Sequence, residues 1–287
     1  MPAPASAQSA QPALPVQREK LTSARRVVVK VGTSTVTFEN GRKNLANLDH
    51  LCRAIANLRN QGREVILVSS GAIAMGMARL RLARKPGTIR EKQAVAAVGQ
   101  CELMNIYSKL FDEYGYVTAQ ILLTRDDIED AHTRMNAINT FEALLEKEVV
   151  PIVNENDTVS TQEIFHNGSF GDNDSLSAIV AGLTHADLLI LLSDIDGLYD
   201  QDPRKNNDAR LVSYVPAVTD EIVRMAGGSG SARGTGGMAT KIEAARIATL
   251  AGIDMVIANG TSADVIECIL AGKEVGTMFA AAQAGMA

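Results

Sequence analysis

Apolar and polar positions along the chain alternate in blocks, and these blocks predict strands and helices in turn. Short runs of mostly β-branched or leucine residues are typical of strands that are buried on both faces. Between these runs, apolar residues recur at helical spacing, and several helical blocks end at a glycine. The predicted strands are residues 27–31, 65–68, 117–123, 149–153, 187–192 and 255–258, and the predicted helices are residues 48–58, 89–114, 133–146, 220–225, 239–250, 263–270 and a stretch from Asp174. This alternation predicts an α/β fold, a three-layer sandwich in which helices cover both faces of a central, mostly parallel sheet.

Chain length and terminal composition predict one folded domain that follows a tail. The chain has 287 residues, and the first twenty are rich in Ala, Pro, Ser and Gln, with no basic region followed by an apolar stretch. Residues 1–24 are therefore predicted to be a disordered tail without a secretory signal, and residues 25–280 to be the domain. No apolar run approaches the roughly 18 residues of a membrane span, so no membrane partner is expected.

Charge and cysteine usage narrow the possible functions. The formal net charge of −5 argues against a phosphate-backbone partner, so no nucleic acid is expected. The cysteines, Cys52, Cys101 and Cys268, are few, far apart and odd in number, and no Cys or His set has zinc spacing. The sequence thus predicts a cytoplasmic protein with reduced thiols and without a metal-binding cluster of side chains.

Lys30 interrupts a run of valines in a strand that is predicted to be buried. Burying an ammonium group without a partner reduces the free energy of unfolding by on the order of several kcal/mol. One interpretation is a lysine at a strand end that extends to solvent. The other is a phosphate clamp, because Gly32 directly after the strand lets the backbone approach a ligand closely.

Small polar residues follow a second strand, in the order Ser69, Ser70, Gly71, and a helix begins after them. The N-terminus of a helix offers free N–H groups and the positive end of a dipole to an anion. A single capping serine would be the simpler interpretation, but capping does not require two serines and a glycine together. We therefore favour a ligand-binding role for this segment.

Two polar clusters lie where ligands of parallel sheets bind, beyond the carboxyl ends of strands. Residues 154–157 have the sequence Asn-Glu-Asn-Asp, and residues 171–174 have the sequence Gly-Asp-Asn-Asp. Ordinary turn chemistry uses the same residue types, so each cluster alone is a weak signal. Together they predict a site that binds an ammonium group and orients lysines, with a hairpin or flap between them.

A glycine-rich loop, residues 227–237, leads into the helix that carries Lys241. It matches neither the Walker A pattern nor the dinucleotide pattern G-x-G-x-x-G. A flexible linker would explain its glycines but not Thr235 and Lys241, so an anion site is the alternative. Ser193 and Asp194 follow another strand and, taken alone, form an ordinary turn.

The ordered set of these motifs closely resembles the amino acid kinase family, and within it the members that act on glutamate. The resemblance extends from about residue 25 to residue 279, and it rests on five motifs in the expected order. These are residues 30–34, 69–74, 154–157, 171–174 and 234–241. The resemblance implies an ATP-dependent enzyme that phosphorylates the side-chain carboxylate of L-glutamate to L-glutamyl 5-phosphate, the first step of proline biosynthesis.

The resemblance also implies roles for individual residues. Lys30, Lys241 and Asp174 would be catalytic, with Asp174 positioning the two lysines. Glutamate would be held in an N-terminal lobe by Ser70, Asp157 and Asn173. ATP, with Mg²⁺, would be held in a C-terminal lobe by Lys30, Ser193, Asp194, Thr235, Gly236, Gly237, Met238, Ala239, Thr240 and Lys241.

Further expectations come from the same resemblance. Many bacterial members carry an additional C-terminal domain that resembles an RNA-binding module, and none is expected in a chain that ends at Ala287. Proline is expected as a feedback inhibitor, and a homo-oligomer is expected. The alternatives are a family member acting on N-acetylglutamate or aspartate, or an inactive nucleotide-binding regulator, although both lysines and Asp174 are present.

Overall fold

The computed structural model describes residues 16–38, 40–160, 173–226 and 237–282. Within these residues the strands are β1 (Arg26–Val31), β2 (Glu64–Ser69), β3 (Thr118–Leu123), β4 (Val150–Glu155), β5 (Leu188–Ser193), β6 (Tyr214–Val215), β7 (Asp254–Asn259) and β8 (Thr277–Phe279). The helices are α1 (Val16–Glu19), α2 (Thr33–Val36), α3 (Leu45–Asn60), α4 (Ala72–Leu80), α5 (Ile89–Glu113), α6 (Arg125–Glu129), α7 (Ala131–Glu146), α8 (Asn173–Leu183), α9 (Asp220–Ala226), α10 (Met238–Leu250) and α11 (Asp264–Leu270). A 3₁₀ helix, Lys20–Ser23, follows α1 directly.

The strands form one sheet in the order β3-β4-β2-β1-β5-β7-β8-β6. Every neighbouring pair is parallel except β7 and β8, which run antiparallel. The predicted mostly parallel sheet is therefore confirmed. Its strands are continuous apolar runs because helices cover both of their faces.

Alternation along β1 assigns its side chains to the two covered faces. Val27, Val29 and Val31 pack into one core with α3, α5 and α11, and Val28 packs into a second core with α7, α8 and α10. Because the side-chain period of a strand is two, Lys30 belongs to the face of Val28. The three predicted layers are thus two groups of helices with the sheet between them.

Strand order reverses at β1, which lies between β2 and β5. The chain continues from β2 toward one edge of the sheet and returns to the other side of β1 with β5. In open parallel sheets, such a reversal leaves a crevice beyond the carboxyl ends of the strands, where ligands bind. The topology therefore predicts a site next to the end of β1, where Lys30 lies.

Two glycines allow α4 and α5 to pack closely beside this crevice. A Cβ atom at Gly99 would lie 1.7 Å from the carbonyl oxygen of Ala72, and one at Gly76 would lie 2.0 Å from that of Val95. Both obstacles are backbone atoms, so a side chain could be accommodated only by moving the helices apart. The close packing holds the N-terminus of α4, which follows β2, against the middle of α5.

Gly99→Ala is expected to destabilise the protein by about 3 kcal/mol or more, since overpacking against backbone is costly. The matched control is Gly182→Ala in the last turn of α8, where a Cβ atom would meet only Ala251 Cβ at 3.8 Å. That variant should be neutral or gain up to about 1 kcal/mol from helix propensity. Urea unfolding of both variants measures the difference, and equal stabilities would contradict the role of Gly99.

The N-terminal end of the fold differs from the prediction of a disordered tail through residue 24. Residues 16–23 are helical, and Arg18 is 2% exposed. The Arg18 guanidinium donates to the backbone oxygens of Ser213, Lys273, Val275 and Gly276 at 2.6–3.2 Å. Local composition could not predict this contact because its acceptors lie about two hundred residues away. Residues 1–15 lie outside the described part.

The predicted elements are present with shifted boundaries, and several short ones were not predicted. No strand was predicted between residues 192 and 255 or after residue 258, where β6 and β8 lie. These strands have two and three residues, too few to show a period. The proposed hairpin after residue 154 and the loop at residues 227–237 fall mostly outside the described residues. Of the helices described, none has the length and apolar character needed to cross a membrane.

Candidate functional site

A cleft of about 540 Å³ opens at the carboxyl ends of β1, β2, β4 and β5. The segments that follow these strands line it, as the topology predicts. Its lining residues are Lys30, Gly32, Thr33, Ser34, Ser70, Gly71, Ala72, Ile73, Ala74, Ile89, Lys92, Gln93, Asn154, Glu155, Asp157, Ser160, Asn173, Leu192, Ser193, Asp194 and Lys241. Of the residues predicted to form the site, Lys30, Ser70, Asp157, Asn173, Ser193, Asp194 and Lys241 thus meet in one cleft.

A buried carboxylate joins the two predicted lysines at the base of this cleft. The Nζ atom of Lys30 lies 2.5 Å from Oδ1 of Asp174, and Nζ of Lys241 lies 3.0 Å from Oδ2. Asp174 is fully buried, and the lysines are 7% and 4% exposed. Lys30 is therefore not a lysine that extends to solvent, since its charge is paired inside the protein.

The charge of Asp174 is stabilised by its surroundings. Burial alone would raise its pKa, but Lys30 and Lys241 outweigh that effect, so the pKa of Asp174 lies below its ordinary value. The carboxylate also lies in the first turn of α8, where the helix dipole favours a negative charge. Asp174 is thus ionised near neutral pH and holds both ammonium groups at the cleft.

The start of α10 supports the same cluster. The Thr240 hydroxyl lies 3.0 Å from Oδ2 of Asp174 and 2.8 Å from the carbonyl oxygen of Gly237. Gly237 is the N-cap residue of α10 and, as a glycine, has no side chain that could cap the helix. Met238 and Ala239 begin α10, but neither is among the residues that line the cleft. Thr235 and Gly236, also predicted to contact the nucleotide, lie outside the described residues.

On the other side of the cleft, side-chain hydrogen bonds join two predicted substrate residues to the first residue of the polar cluster at 154–157. Asn173 Nδ2 donates to Ser70 Oγ at 2.8 Å and to Asn154 Oδ1 at 2.9 Å. These residues come from the start of α8, the end of β2 and the end of β4. The cluster at residues 154–157 thus begins inside β4, not after it as predicted.

Asp157 and Glu155 place negative charge in this half of the cleft. Burial, and then repulsion from Glu155, raise the pKa of Asp157 to about 6. Glu155 accepts a hydrogen bond from the Ser160 hydroxyl at 2.8 Å. Two carboxylates close together suit a cationic group such as an ammonium ion.

Ser193 and Asp194 line the opposite side at the end of β5. The Ser193 hydroxyl donates to Asp194 Oδ1 at 3.0 Å. The residue types alone indicated only a turn here, and the family resemblance implied a contact with the nucleotide. The structure brings the pair to the same cleft as Lys30.

The predictions from sequence assigned no role to Lys92 and Gln93, which also line the cleft. They lie in the first turn of α5, directly after a capping box formed by Thr88 and Glu91. With Ile89 they occupy positions i, i+3 and i+4, so they share one helix face. That spacing next to a capping box was the signal available in the sequence.

The cleft also receives the N-terminus of α4. Gly71 precedes this helix with φ of +105°, and α4 has no side-chain cap. A Cβ atom at Gly71 would lie 2.8 Å from Val36 Cγ2, so glycine is needed for both conformation and space. The first N–H groups of α4 are thus suited to bind an anion. With the paired lysines, the cleft can bind two anionic groups, and its carboxylates can bind a cation.

A model of the amino acid kinase family matches residues 25–259. The chain belongs to the amino acid kinase family. It is 57% identical over 264 residues to the glutamate 5-kinase of Clostridium perfringens, covering 92% of this chain and 98% of that relative. It is 54% identical over 263 residues to the glutamate 5-kinase of Clostridium tetani, covering 92% and 97%. Both of these relatives are glutamate 5-kinases, the members of the family that the ordered motifs resemble.

A solved structure supports the fold independently of close sequence similarity. The carbamate kinase from Giardia lamblia bound to AMP-PNP superposes with a TM-score of 0.62, covering 91% of this chain and all of that one. The two sequences are 16% identical, so this likeness shows the shared fold alone.

Proposed function

We propose that the protein transfers the γ-phosphoryl group of ATP to the side-chain carboxylate of L-glutamate, giving L-glutamyl 5-phosphate and ADP, the first step of proline biosynthesis. The observation that carries this proposal is the buried cluster of Lys30, Asp174 and Lys241 at a cleft with a separate acidic half. The identity of more than half of all aligned residues with glutamate 5-kinases supports the same substrate.

The chemistry needs no general base, because a glutamate carboxylate has a pKa of about 4.3 and is ionised near neutral pH. The obstacle is repulsion between this anion and the polyanionic ATP. Lys30 and Lys241 would offset that repulsion by binding the transferring phosphoryl group, and Asp174 would keep both lysines in place. Catalysis would thus come from positioning and positive charge.

The two halves of the cleft suit the two substrates. Ser70, Asn173 and Asp157 would hold glutamate, with Asp157 facing its ammonium group. Ser193, Asp194 and the residues from 235 to 241 would hold ATP. Mg²⁺ would enter with ATP, bound mainly by phosphate oxygens and water, as is usual for this ion. Asp194 lines the cleft and offers a carboxylate on the nucleotide side.

The decisive assay measures ADP release from ATP and Mg²⁺ with L-glutamate, N-acetylglutamate, aspartate or no acid in parallel. Hydroxylamine is present to trap an acyl phosphate as a hydroxamate. Glutamate-dependent ADP release with hydroxamate formation is the expected result. Turnover with another acid alone would refute the assignment of substrate, and ATP binding without turnover would indicate a regulator.

The pKa of Asp157 predicts a pH dependence. Since kcat/KM reports the free enzyme, kcat/KM for glutamate should fall as the pH drops through about 6, where Asp157 gains a proton and loses its attraction for ammonium. Asp157→Asn should lower kcat/KM about tenfold or more at pH 8 and remove this pH limb. A wild-type profile that is flat between pH 5 and 8 would contradict the role of Asp157.

Ionisation of Asp157 has the opposite effect on stability. Its folded pKa lies above the unfolded value, so the folded state binds the proton more tightly, and stability from this group falls as the pH rises toward 6. Asp157→Asn should therefore raise the melting temperature near neutral pH while it weakens glutamate binding. The KM for ATP serves as the internal control and should not follow this pH limb.

Three further parts of the proposal rest on the family resemblance. Proline would act as a feedback inhibitor, the protein would assemble as a homo-oligomer, and its location would be cytoplasmic. An unchanged rate at proline concentrations far above that of glutamate would exclude the first. Light scattering of the purified protein tests the second.

A further inference from the structure

A line of three buried or half-buried amide side chains crosses the fold beneath the substrate half of the cleft. Gln100 on α5 accepts a hydrogen bond from Asn154 Nδ2 at 2.9 Å through its Oε1 atom. Asn154 Oδ1 in turn accepts from Asn173 Nδ2 at 2.9 Å, and Asn173 Nδ2 also donates to Ser70 Oγ at 2.8 Å. We call these four residues the amide relay. Three of them line the cleft, whereas Gln100 does not.

The direction of the amide relay is determined by one backbone group. The N–H of Glu155 donates to Asn154 Oδ1 at 2.9 Å, and a backbone N–H can only donate. Asn154 must therefore turn its oxygen toward Glu155 and Asn173 and its NH₂ group toward Gln100. Gln100 must then present an acceptor, which fixes its amide orientation as well.

The same reasoning continues to the cleft. Asn173 must donate to Asn154, so its NH₂ group is occupied by Asn154 and Ser70, and its Oδ1 atom remains as an acceptor. Ser70 Oγ accepts from Asn173, so the Ser70 hydrogen remains for another acceptor. One donor and one acceptor are thus offered, which matches a ligand that carries both a carboxylate and an ammonium group.

We propose that Gln100 is a positioning residue that sets the donor and acceptor polarity of Asn154, Asn173 and Ser70, and so makes the cleft selective for an amino acid over a plain dicarboxylate. This proposal rests on the proposed function and identifies a determinant of its substrate selectivity. Gln100 is 7% exposed and occupies the core-facing side of α5, where Ala96 and Leu103 are also buried. Within the described residues, its Nε2 atom has no hydrogen-bond partner, so the acceptor is the part of the amide that the fold uses.

Two variants separate the acceptor from the volume of the side chain. Gln100→Met keeps nearly the same length but removes the acceptor, so Asn154 Nδ2 loses its buried partner. Turning the Asn154 amide over would not help, since its NH₂ group would then face the N–H of Glu155. Gln100→Glu keeps an acceptor oxygen and loses only the NH₂ group, so it serves as the rescue variant.

The measurements are KM for L-glutamate, KM for ATP, kcat, and the ratio of kcat/KM for L-glutamate to that for glutarate, which lacks the ammonium group. Gln100→Met should raise the KM for glutamate about tenfold and lower the glutamate-to-glutarate ratio by a similar factor, the usual effect of one lost buried hydrogen bond. The KM for ATP and kcat should change by less than about threefold. Gln100→Glu should retain most of the selectivity.

Tyr107→Phe is the matched control. Tyr107 lies on the same helix, is fully buried, and shares a hydrogen bond of 2.8 Å with Ser69 Oγ, outside the amide relay. Its loss should lower the melting temperature without changing the glutamate-to-glutarate ratio. If Gln100→Met does not fold, Gln100→Leu, a smaller side chain without an acceptor, takes its place with the same expectations.

The outcomes distinguish this proposal from the proposed function. A wild-type protein that fails to phosphorylate glutamate refutes the function itself. If the wild type phosphorylates glutamate but the selectivity ratio is unchanged in Gln100→Met, only the role of Gln100 is overturned. The same follows if Gln100→Glu or Tyr107→Phe lowers the ratio as much as Gln100→Met does. Equal rises in the KM for both substrates would likewise indicate a merely structural residue.

Discussion

Lys241→Ala is expected to lower kcat by about three orders of magnitude or more, the range known for cationic groups that stabilise phosphoryl transfer. The physical reason is the position of its ammonium group, 4% exposed and 3.0 Å from Oδ2 of Asp174 at the base of the cleft. There it would lie next to the transferring group, where surrounding protein makes charge stabilisation stronger than in water.

The control for this variant is Lys109→Ala, which removes an exposed lysine from α5, away from the cleft. It should leave kcat and both KM values unchanged. Thermal unfolding of both variants tests whether the fold is kept. We expect Lys241→Ala to fold, because Asp174 retains Lys30 as a partner. A folded Lys241→Ala protein with kcat within tenfold of wild type would refute the catalytic role of this lysine.

Lys241→Arg adds information about geometry. Arginine keeps the positive charge but carries a planar group with five donors in place of a compact ammonium ion. If only charge mattered, this variant would restore most of the activity. Because Lys241 lies between Asp174 and the cleft in little space, we expect kcat to remain at least about tenfold below wild type.

The paired lysines illustrate what sequence patterns can and cannot predict. A lysine inside a run of buried valines must have a partner, so Lys30 could be selected from β1 alone. Its partner, Asp174, is far away in sequence, and no local pattern connects the two residues. That pairing followed only from the family resemblance, and the strand order explains it, since Lys30 belongs to the face of the sheet that α8 covers.

Gln100 and Arg18 show two degrees of the same limit. Gln100 occupies a core position of a helix, so a polar residue on an apolar face was visible in the sequence, although its role depends on Asn154, which is 54 residues later. Arg18 gave no such signal, because its hydrogen-bond acceptors are four backbone oxygens. Every residue type has a backbone oxygen, so these acceptors cannot be recognised in the sequence. Hydrophobic periodicity and turn residues thus predict the helices, the strands and the edge of the sheet at which the site lies. Polar contacts between residues far apart in the sequence can be identified only once the fold is known.

Asp174→Asn is expected to have the second large effect, on activity and on stability together. The side chain is fully buried between two lysines, and asparagine has nearly the same shape but no charge. Both ammonium groups would then lie buried without their counter-ion, and breaking such a pair typically costs about 3–5 kcal/mol. With the lysines displaced, kcat should fall by about a hundredfold or more.

The pH dependence of stability tests this explanation directly. In the wild type, the folded pKa of Asp174 is lowered, so its contribution is present above the unfolded pKa and is lost as the pH falls through the folded value. In Asp174→Asn this acidic loss of stability should be absent, because residue 174 no longer titrates. The difference in stability between wild type and Asp174→Asn should therefore be largest near neutral pH and should narrow as the pH falls through the folded pKa of Asp174.

Asp220→Asn separates this effect from the helix dipole. Asp220 also lies in the first turn of a helix, α9, but it is exposed. A dipole contribution alone would make the two variants similar, with losses of about 0.3–1 kcal/mol. A loss near neutral pH that is several times larger for Asp174→Asn than for Asp220→Asn would instead show that one carboxylate holds two lysine charges inside the protein. The two lysine charges that Asp174 pairs are also those that would bind the phosphoryl groups of ATP. If the lysines leave the cleft in Asp174→Asn, ATP should protect that variant against unfolding less than it protects the wild type.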